Sequence, residues 1–412
     1  MIAKPGTATP LTQMLALARA STDALFTLVR PATLYERPVP ERHRLIFYLG
    51  HLEAFDWNLI RESAEVPSFS PDFDQLFAFG IDPKPGQTRQ DERVDWPETA
   101  EIRQYNRRVR QLIDDVSDRI PELMLSVALE HRLMHAETFA YLLHALPMGQ
   151  KIIPLTAPLT PGPSPIHVMI DIPGGTVTLG QRRDDQNGRP QFGWDNEFES
   201  HQISVPGFAM SKYKVTNGEY LKFVRAGAKP PHFWKGHTGR WLWRGMSEEV
   251  PLPLDWPVYV THEEACAYAA WIGKRLPSEA EFHRAAYGTR NDEEERSYPW
   301  GEDQPDSRHG NFDGHQWDPI SVTATPLGDS AFGISQLVGN GWEWTSTVFH
   351  PFSGFQPFSC YPGYSARFFD GEHYVLKGAS ARTHARLLRR SFRNWFRPDF
   401  PYVYAGFRCV EY

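Results

Sequence analysis

The sequence predicts an α+β protein in two parts, a four-helix bundle in residues 1–150 and an irregular domain in residues 167–412. Three observations support this prediction. The chain has 412 residues, more than one hydrophobic core usually serves. Apolar residues recur at helical spacing over long stretches only before residue 150. After that point, glycine, proline and aromatic residues break up the periodicity.

Four stretches of the first part have the spacing of long helices, namely residues 11–29, 42–62, 98–118 and 121–146. Pro-rich connections separate them. Residues 151–166 contain five prolines and almost no charge, so we interpret them as a linker. In the second part, helical periodicity is limited to residues 217–226, 261–272 and 278–287. We therefore expect short helices there among long loops.

Composition excludes several classes of protein. No apolar run approaches the roughly 18–20 residues that span a bilayer, and the first residues lack the features of a secretory signal. The formal net charge of -7 argues against nucleic acid as a partner. Cys266, Cys360 and Cys409 are too few and too scattered for a disulfide scaffold. We therefore expect a cytoplasmic protein.

The fourth predicted helix carries His131 and His135 four residues apart. Such a pair lies on one helix face, so both imidazoles can reach one metal ion. His51, in an apolar stretch of the second helix, is the candidate for a third ligand. Three histidines would leave coordination positions open and suit Fe, Zn, Ni or Cu. The alternative is a set of satisfied core or surface histidines.

Other charged residues near these histidines have less specific interpretations. Glu137 lies about 200° around the helix from His135, which favours a hydrogen bond elsewhere. Glu53 and Asp56 flank His51 and could accept hydrogen bonds near the site, but we favour solvated helix charges.

Seven motifs of the second part occur in one order and resemble the formylglycine-generating enzyme (sulfatase-modifying factor) domain. They are DIPGG (171–175), KVTNGEY (214–220), WPV (256–258), AYAAWIGKRLPSEAEF (267–282), YPWG (298–301), GNGWEWT (339–345) and GFRC (406–409). The resemblance implies a C-type-lectin-like fold. The helices with His51 and His131-Arg-Leu-Met-His135 resemble a DinB-type bundle. Together the two halves resemble the sulfoxide synthases of the ergothioneine pathway.

That resemblance implies a non-haem iron(II) enzyme that uses dioxygen to join a thiol to the imidazole of Nα-trimethylhistidine (hercynine). It implies His51, His131 and His135 as the iron ligands. A close variant is a selenoneine synthase, which would use a selenosugar, and the sequence does not separate sulfur from selenium. A non-catalytic, ligand-binding lectin-like protein is the alternative from another class.

The resemblance also implies substrate contacts. Asn394 matches a hercynine contact, and with it we group Met134, Arg393, Trp395, Phe396 and Arg397 as substrate-binding candidates. Met134 stands where many relatives have a Gln that contacts hercynine. Phe396 and Arg397 stand where some relatives have the Asp that binds the amine of γ-glutamylcysteine, which favours a smaller thiol such as cysteine. The aromatic rings of this domain suit a quaternary ammonium by cation–π attraction.

Many relatives carry a Tyr pair after the second bundle helix, with a tyrosine as proton donor. Here the corresponding residues 73–80 contain no tyrosine. The catalytic residue therefore stays unassigned among Tyr361, Tyr364, Tyr374, Tyr402 and Tyr404. Formylglycine-generating enzymes need a cysteine pair, whereas here Cys409 stands alone near the C-terminus, so the sequence argues against that activity.

Residues 382–397 hold six arginines interleaved with aromatic residues. Alone they would suggest nucleic-acid binding, but the acidic chain has no further basic stripe. We expect Arg386, Arg389 and Arg390 to be solvated or domain-bridging charges. We expect Trp342 and Trp344 to pack in a core, with Glu343 as an interior hydrogen-bond acceptor. The sequence leaves open the oligomeric state, the sulfur or selenium donor and the oxidation state of the product.

Overall fold

The computed structural model describes residues 10–78, 91–153, 162–185, 188–237, 240–291 and 295–412. The chain divides into two compact units, Met1–Pro154 and Leu155–Tyr412. Residues 79 and 80 of the segment compared with the Tyr pair, and residues 154–161 of the predicted linker, lie outside the described residues. No helix within the described ranges is long and apolar enough to cross a membrane.

The first unit is helical. Its helices are α1 (Leu11–Phe26), α2 (Leu45–Arg61), the short α3 (Pro71–Leu76), α4 (Thr99–Asp115) and α5 (Glu122–Ala145). Helix α1 packs along α5, and α2 packs against both α4 and α5. Most of α2 is buried, because it contacts a neighbour on several sides. The four long helices match the predicted stretches to within a few residues, so the prediction of a bundle is confirmed.

The short α3 is held against the bundle by its own carboxylate. Asp74 accepts hydrogen bonds from Trp57 Nε1 of α2 (3.1 Å) and Tyr105 Oη of α4 (2.7 Å). Because both donors are buried aromatic side chains, this contact fixes the position of the segment that follows α3. Phe77, three residues after Asp74, is thereby placed beside α2.

The second unit combines short helices with small sheets. The helices are α6 (Asn217–Arg225), α7 (His262–Trp271) and α8 (Glu279–Tyr287). A Thr or Ser side chain caps the N-terminus of each, at Thr216, Thr261 and Ser278. These bounds match the predicted short helices, and the α+β fold class is confirmed.

The strands of the described residues form four sheets. They are β1 (Met169–Ile172), β2 (Gly175–Leu179), β3 (His201–Val205), β4 (Phe208–Ser211), β5 (Trp234–His237), β6 (Arg240–Arg244), β7 (Glu249–Pro251), β8 (Gly341–Val348), β9 (Tyr374–Ala379), β10 (Asn394–Phe396), β11 (Ala405–Gly406) and β12 (Val410–Glu411). The largest has the order β10-β9-β8-β11, with β11 parallel to β8 and the other pairs antiparallel. The others have the orders β1-β4-β12, β2-β3 and β5-β6-β7.

The interior of the second unit contains a fully buried ion network around strand β8. Glu343 accepts hydrogen bonds from Arg408 at 2.8 and 3.0 Å and pairs with Lys214 at 2.9 Å. None of the three side chains is exposed. Trp342 and Trp344 flank Glu343 and are also buried. The expected core role of these tryptophans, with Glu343 as an interior acceptor, is therefore confirmed. We call Arg408, Glu343 and Lys214 the Arg408 cluster.

Candidate functional site

The structure brings the three predicted histidines together. His51 lies on α2, and His131 and His135 lie one turn apart on α5. One ring nitrogen of each lies within 4.8 Å of the others. Within the described residues, this is the one group of three or more His, Cys, Asp or Glu side chains close enough to share an ion. His51 and His131 are buried and His135 is half-buried.

A backbone carbonyl orients His51. The Nδ1 atom of His51 lies 2.7 Å from the carbonyl oxygen of Phe77. Because a carbonyl can only accept, Nδ1 carries the proton and donates, and Nε2 keeps its lone pair for another partner. Gly50 permits this approach, since a Cβ at that position would lie 2.6 Å from the Phe77 ring. The glycine before His51 thus lets the segment after α3 reach the histidine.

Aromatic rings cover the faces of two imidazoles. Phe55 stacks on His131 with the ring centroids 3.4 Å apart and the planes at 12°. Phe47 stacks on His51 at 4.7 Å and 21°. Phe47, His51 and Phe55 are spaced four residues apart, so they form one stripe along α2. These contacts restrict rotation of the two imidazoles and exclude water from their faces.

All three histidines are held neutral. Burial lowers the pKa of His51 to about 4. Burial also places the pKa values of His131 and His135 well below the usual range, with a smaller effect of the neighbouring imidazoles. The Nδ1 atom of His135 is buried without a hydrogen-bond partner among the described residues. Neutral imidazoles that converge, one with an unsatisfied buried nitrogen, form a donor set that fits a divalent transition metal.

The expectation of solvated charges at Glu53 and Asp56 is wrong. Their exposed fractions are 1% and 0%, and both pair with Arg132 of α5, which is also fully buried. The apolar surroundings of these charges indicated that they need partners if the helix is buried, but the sequence did not show whether it is buried or which partners they meet. Sequence analysis missed Arg132, although it directly follows His131. We call Arg132, Glu53 and Asp56 the Arg132 cluster.

Tyr48 is a second residue that sequence analysis missed. Its ring centroid lies 5.8 Å from that of His135, and the side chain is buried. It precedes His51 by three residues, and this spacing on one helix face was the available signal. Met134, the predicted substrate contact on α5, is half-buried and directly precedes His135.

The tyrosine candidates all lie in the second unit. Tyr364 and Tyr404 are buried, while Tyr361, Tyr374 and Tyr402 are half-buried. Tyr364 stacks on Trp194 at 3.9 Å, and Tyr374 stacks on His262 at 3.8 Å. Tyr402 and Tyr404 belong to an aromatic group that includes Phe233 and His232. The packing of the rings does not favour any of the five as a proton donor.

Three predicted substrate residues form strand β10. Trp395 stacks on Phe349 with centroids 4.3 Å apart and planes at 8°, and Phe396 stacks on Phe400 at 5.1 Å. The Oδ1 atom of Asn394 accepts a hydrogen bond from the backbone N–H of Trp395 at 2.9 Å. The three side chains are half-buried. The Asn394 amide nitrogen therefore remains the group of that side chain best placed to donate to a ligand.

The neighbouring arginines already have partners. Arg393 is buried and donates to Glu279 at 3.0 Å and to the carbonyl of His350 at 3.0 Å. Arg397 is about one-third exposed and pairs with Glu372 and, at 3.5 Å, with Asp370. A substrate carboxylate at Arg397 would therefore compete with two acidic side chains, whereas Arg393 holds the interior of the second unit together.

The expectation of a solvated or domain-bridging charge is wrong for Arg389. It pairs with the buried Glu197 of the same unit in a two-nitrogen contact and so stabilises that unit internally. Arg390 is about one-third exposed and lies 3.2 Å from Glu295 of the same unit. Arg386 is half-buried.

Comparison with known proteins agrees with this architecture. Residues 157–412 match the sulfatase-modifying factor enzyme 1-like domain, and residues 14–146 match the DinB superfamily. The chain is 32% identical to the hercynine oxygenase of Mycolicibacterium smegmatis over 97% of this chain and 98% of that protein. It is 27% identical to ergothioneine biosynthesis protein 1 of Neurospora crassa over 92% of this chain, which spans 55% of that protein.

A further relative matches a smaller share of the chain. The chain is 32% identical to the formylglycine-generating enzyme of Mus musculus over 61% of this chain and 77% of that protein. The hercynine oxygenase, by contrast, aligns with both units. The chain therefore belongs to the hercynine oxygenase family of the ergothioneine pathway, and it is an oxygenase in which a DinB-type helical domain precedes a sulfatase-modifying-factor domain.

Proposed function

We propose that this protein is a non-haem iron(II)- and dioxygen-dependent sulfoxide synthase. Its reaction would form a C–S bond between the imidazole of hercynine and a small thiol such as cysteine, in ergothioneine biosynthesis. The observation that carries this proposal is the set of three neutral imidazoles from α2 and α5, in a chain that aligns end to end with a hercynine oxygenase.

His51, His131 and His135 would hold the iron through one ring nitrogen each, and for His51 this is Nε2. Iron(II) bound there would supply the one-electron chemistry that dioxygen needs for reaction with a thiol. The three imidazoles carry no charge, so they leave the charge of the ion uncompensated and favour an anionic substrate group such as a thiolate. Phe47 and Phe55 would keep the imidazoles oriented and limit water.

The second domain would supply the contacts to the organic substrates. The Asn394 amide can donate a hydrogen bond to hercynine, and the face of Trp395 that is not stacked on Phe349 suits its trimethylammonium group. Phe396 would add an apolar contact, and so would Met134 of the first domain. Arg397 would bind the carboxylate of the sulfur donor in exchange for Glu372, and Arg393 would act from the interior by holding β10 in place.

The proposed function also assigns a role to each part of the chain. We assign residues 1–150 to iron binding, residues 151–166 to the linker and residues 167–412 to substrate binding. The three cysteines are free, which supports a reducing compartment, and we therefore propose a cytoplasmic enzyme.

Anaerobic iron(II) loading followed by exposure to dioxygen with hercynine tests the function. The substrates would be a panel of thiols and selenols, and mass spectrometry would identify the products. A sulfur-bridged product with cysteine supports the proposal, whereas a product only with a selenium donor assigns the selenoneine reaction. Binding of hercynine without turnover with any donor would favour a non-catalytic binding protein. The matched control is His131→Ala, which should give no product.

A further inference from the structure

The Arg132 cluster is on the same two helices as His51, His131 and His135, which we call the histidine triad. Arg132 directly follows His131 on α5, and Glu53 follows His51 by two residues on α2. Arg132 donates to Glu53 at 2.9 and 3.1 Å and to Asp56 at 2.6 Å. It also donates to the backbone carbonyl of Leu52 at 3.0 Å. The two helices that carry the histidines are therefore joined beside them.

The other long helices of the bundle contact the same cluster. Arg132 donates to the Thr22 hydroxyl of α1 at 3.2 Å. Arg110 of α4 donates to Glu53 at 2.6 and 3.0 Å and to Asp23 of α1 at 2.6 and 2.8 Å. Arg110 is about one-quarter exposed, whereas Arg132, Glu53 and Asp56 are almost completely buried. The contacts between α2 and α5 thus form the desolvated centre of the network.

A gain in protein stability would not by itself explain why these three charged side chains are buried together. Removing charges from water costs free energy, and well-packed apolar side chains of similar volume often stabilise a protein as much or more. Buried ionic groups have a better-attested role in selecting one alignment of packed helices. A shift of one residue along a helix moves a side chain by about 1.5 Å, whereas metal–ligand distances vary by only about 0.2 Å. The alignment of α2 with α5 therefore decides whether three imidazoles can share one ion.

We propose that Arg132, Glu53 and Asp56 are positioning residues that set the alignment of α2 with α5 and so determine the affinity and geometry of the histidine metal site. This inference rests on the metal site of the proposed function. The cluster contributes none of the three imidazoles that would hold the metal, and it acts through His51 and His131. Arg110 contacts the same Glu53 from α4 and does not join α2 to α5, so it should not share this role.

Cobalt(II) binding to the metal-free full-length protein tests the proposal. The variants are Glu53→Gln, Asp56→Asn and Arg132→Met, with Arg110→Met as the matched control. Visible absorption would report the ligand geometry, and competition with a chelator would report affinity. Circular dichroism and thermal unfolding in excess chelator would report the fold and its stability without metal.

We expect Glu53→Gln and Asp56→Asn to weaken cobalt binding by roughly 10–100-fold, as for other supporting residues of metal sites, and to shift the visible bands. Arg110→Met should lose stability and keep the affinity and spectrum of the unaltered protein. Unchanged affinity and spectrum in both isosteric variants would overturn the proposal, and so would an equal loss of affinity in Arg110→Met. If Arg132→Met does not fold, the isosteric variants decide.

Failure of the positioning role can be distinguished from failure of the proposed function. If the protein binds cobalt through the histidines but forms no product from hercynine, the function fails and the cluster variants still decide this inference. If His131→Ala binds cobalt as tightly as the unaltered protein, the triad is not the metal site and the positioning role is overturned.

Discussion

The two halves of the molecule each bury an arginine with carboxylate partners, and they use it differently. In the bundle, Arg132 donates mainly to the side chains of Glu53 and Asp56 and to one carbonyl, that of Leu52. In the second domain, Arg408 donates to Glu343 and also to the carbonyls of Ser211, Lys212 and Ser335. Helices satisfy their own carbonyls, whereas irregular segments leave carbonyls that need a donor.

This difference suggests that a buried arginine–carboxylate network has a different role in each domain. Around Arg408, a buried cation replaces the backbone hydrogen bonds that regular structure would provide, so the network holds loops together. Around Arg132, the backbone is already satisfied, and the network can only select how the helices are aligned. Substitutions in the two halves should therefore differ in what they disturb.

The largest expected effect belongs to the histidine triad. His131→Ala should lower iron affinity by at least roughly 100-fold and remove nearly all turnover. The loss of a metal ligand should weaken binding more than the loss of a residue that only supports a ligand. Metal analysis after dialysis and the product assay would measure both. His144→Ala, a buried histidine on the same helix, is the control and should retain iron. Full iron occupancy in His131→Ala would contradict the assignment.

The next largest effect is expected for substitution of Arg408, which should lower the stability of the second domain without affecting metal binding. Arg408→Met leaves Glu343 buried with only Lys214 and leaves several carbonyls without their donor. We expect a loss of roughly 3–5 kcal/mol in the free energy of unfolding of the second domain, as for other broken buried ion pairs. Denaturant unfolding followed by tryptophan fluorescence would measure it. A loss below roughly 1 kcal/mol would mean that the network does not hold the loops of the second domain together.

An intermediate effect should link packing to the metal site. In Gly50→Ala, the added Cβ would lie 2.6 Å from the Phe77 ring, so the ring and its carbonyl must move away from His51. We expect a loss of roughly 1–3 kcal/mol in stability and weaker cobalt binding. The control is Gly149→Ala, where no atom lies within 4 Å of the added Cβ. Equal cobalt affinity in both variants would show that the carbonyl does not orient His51.

The smallest effect concerns the pH dependence of the Arg408 cluster. Burial lowers the pKa of Lys214 to about 8, from about 10.5 for the unfolded chain. Between these values the unfolded chain binds a proton that the folded chain has released, so this lysine makes stability rise with pH from about 8 to about 10.5. Lys214→Met should therefore reduce the increase in the free energy of unfolding between pH 8 and pH 10 by roughly 1–2 kcal/mol, as measured by denaturant titrations. An unchanged gain would show that Lys214 does not titrate in this range.

Sequence alone determined the division into a helical part and a loop-rich part, the long helices, and the three histidines as one candidate site. The division, the helices and the His131–His135 pair depend on local periodicity and spacing, which a single segment contains in full. His51 lies on another helix and was added because of its apolar surroundings and the family resemblance. The ordered motifs also identified the family, because seven short segments in one order are specific even where each is irregular.

Only the tertiary structure decided which charges are buried and which nitrogen of His51 is available. Arg132 and Glu53 are 79 residues apart, and His51 and Phe77 are 26 apart, so no local pattern shows that they meet. The same holds for Arg389 and Glu197, which are separated by 192 residues. Whether a charge is solvated depends on what packs against it, and that environment forms only when distant segments come together.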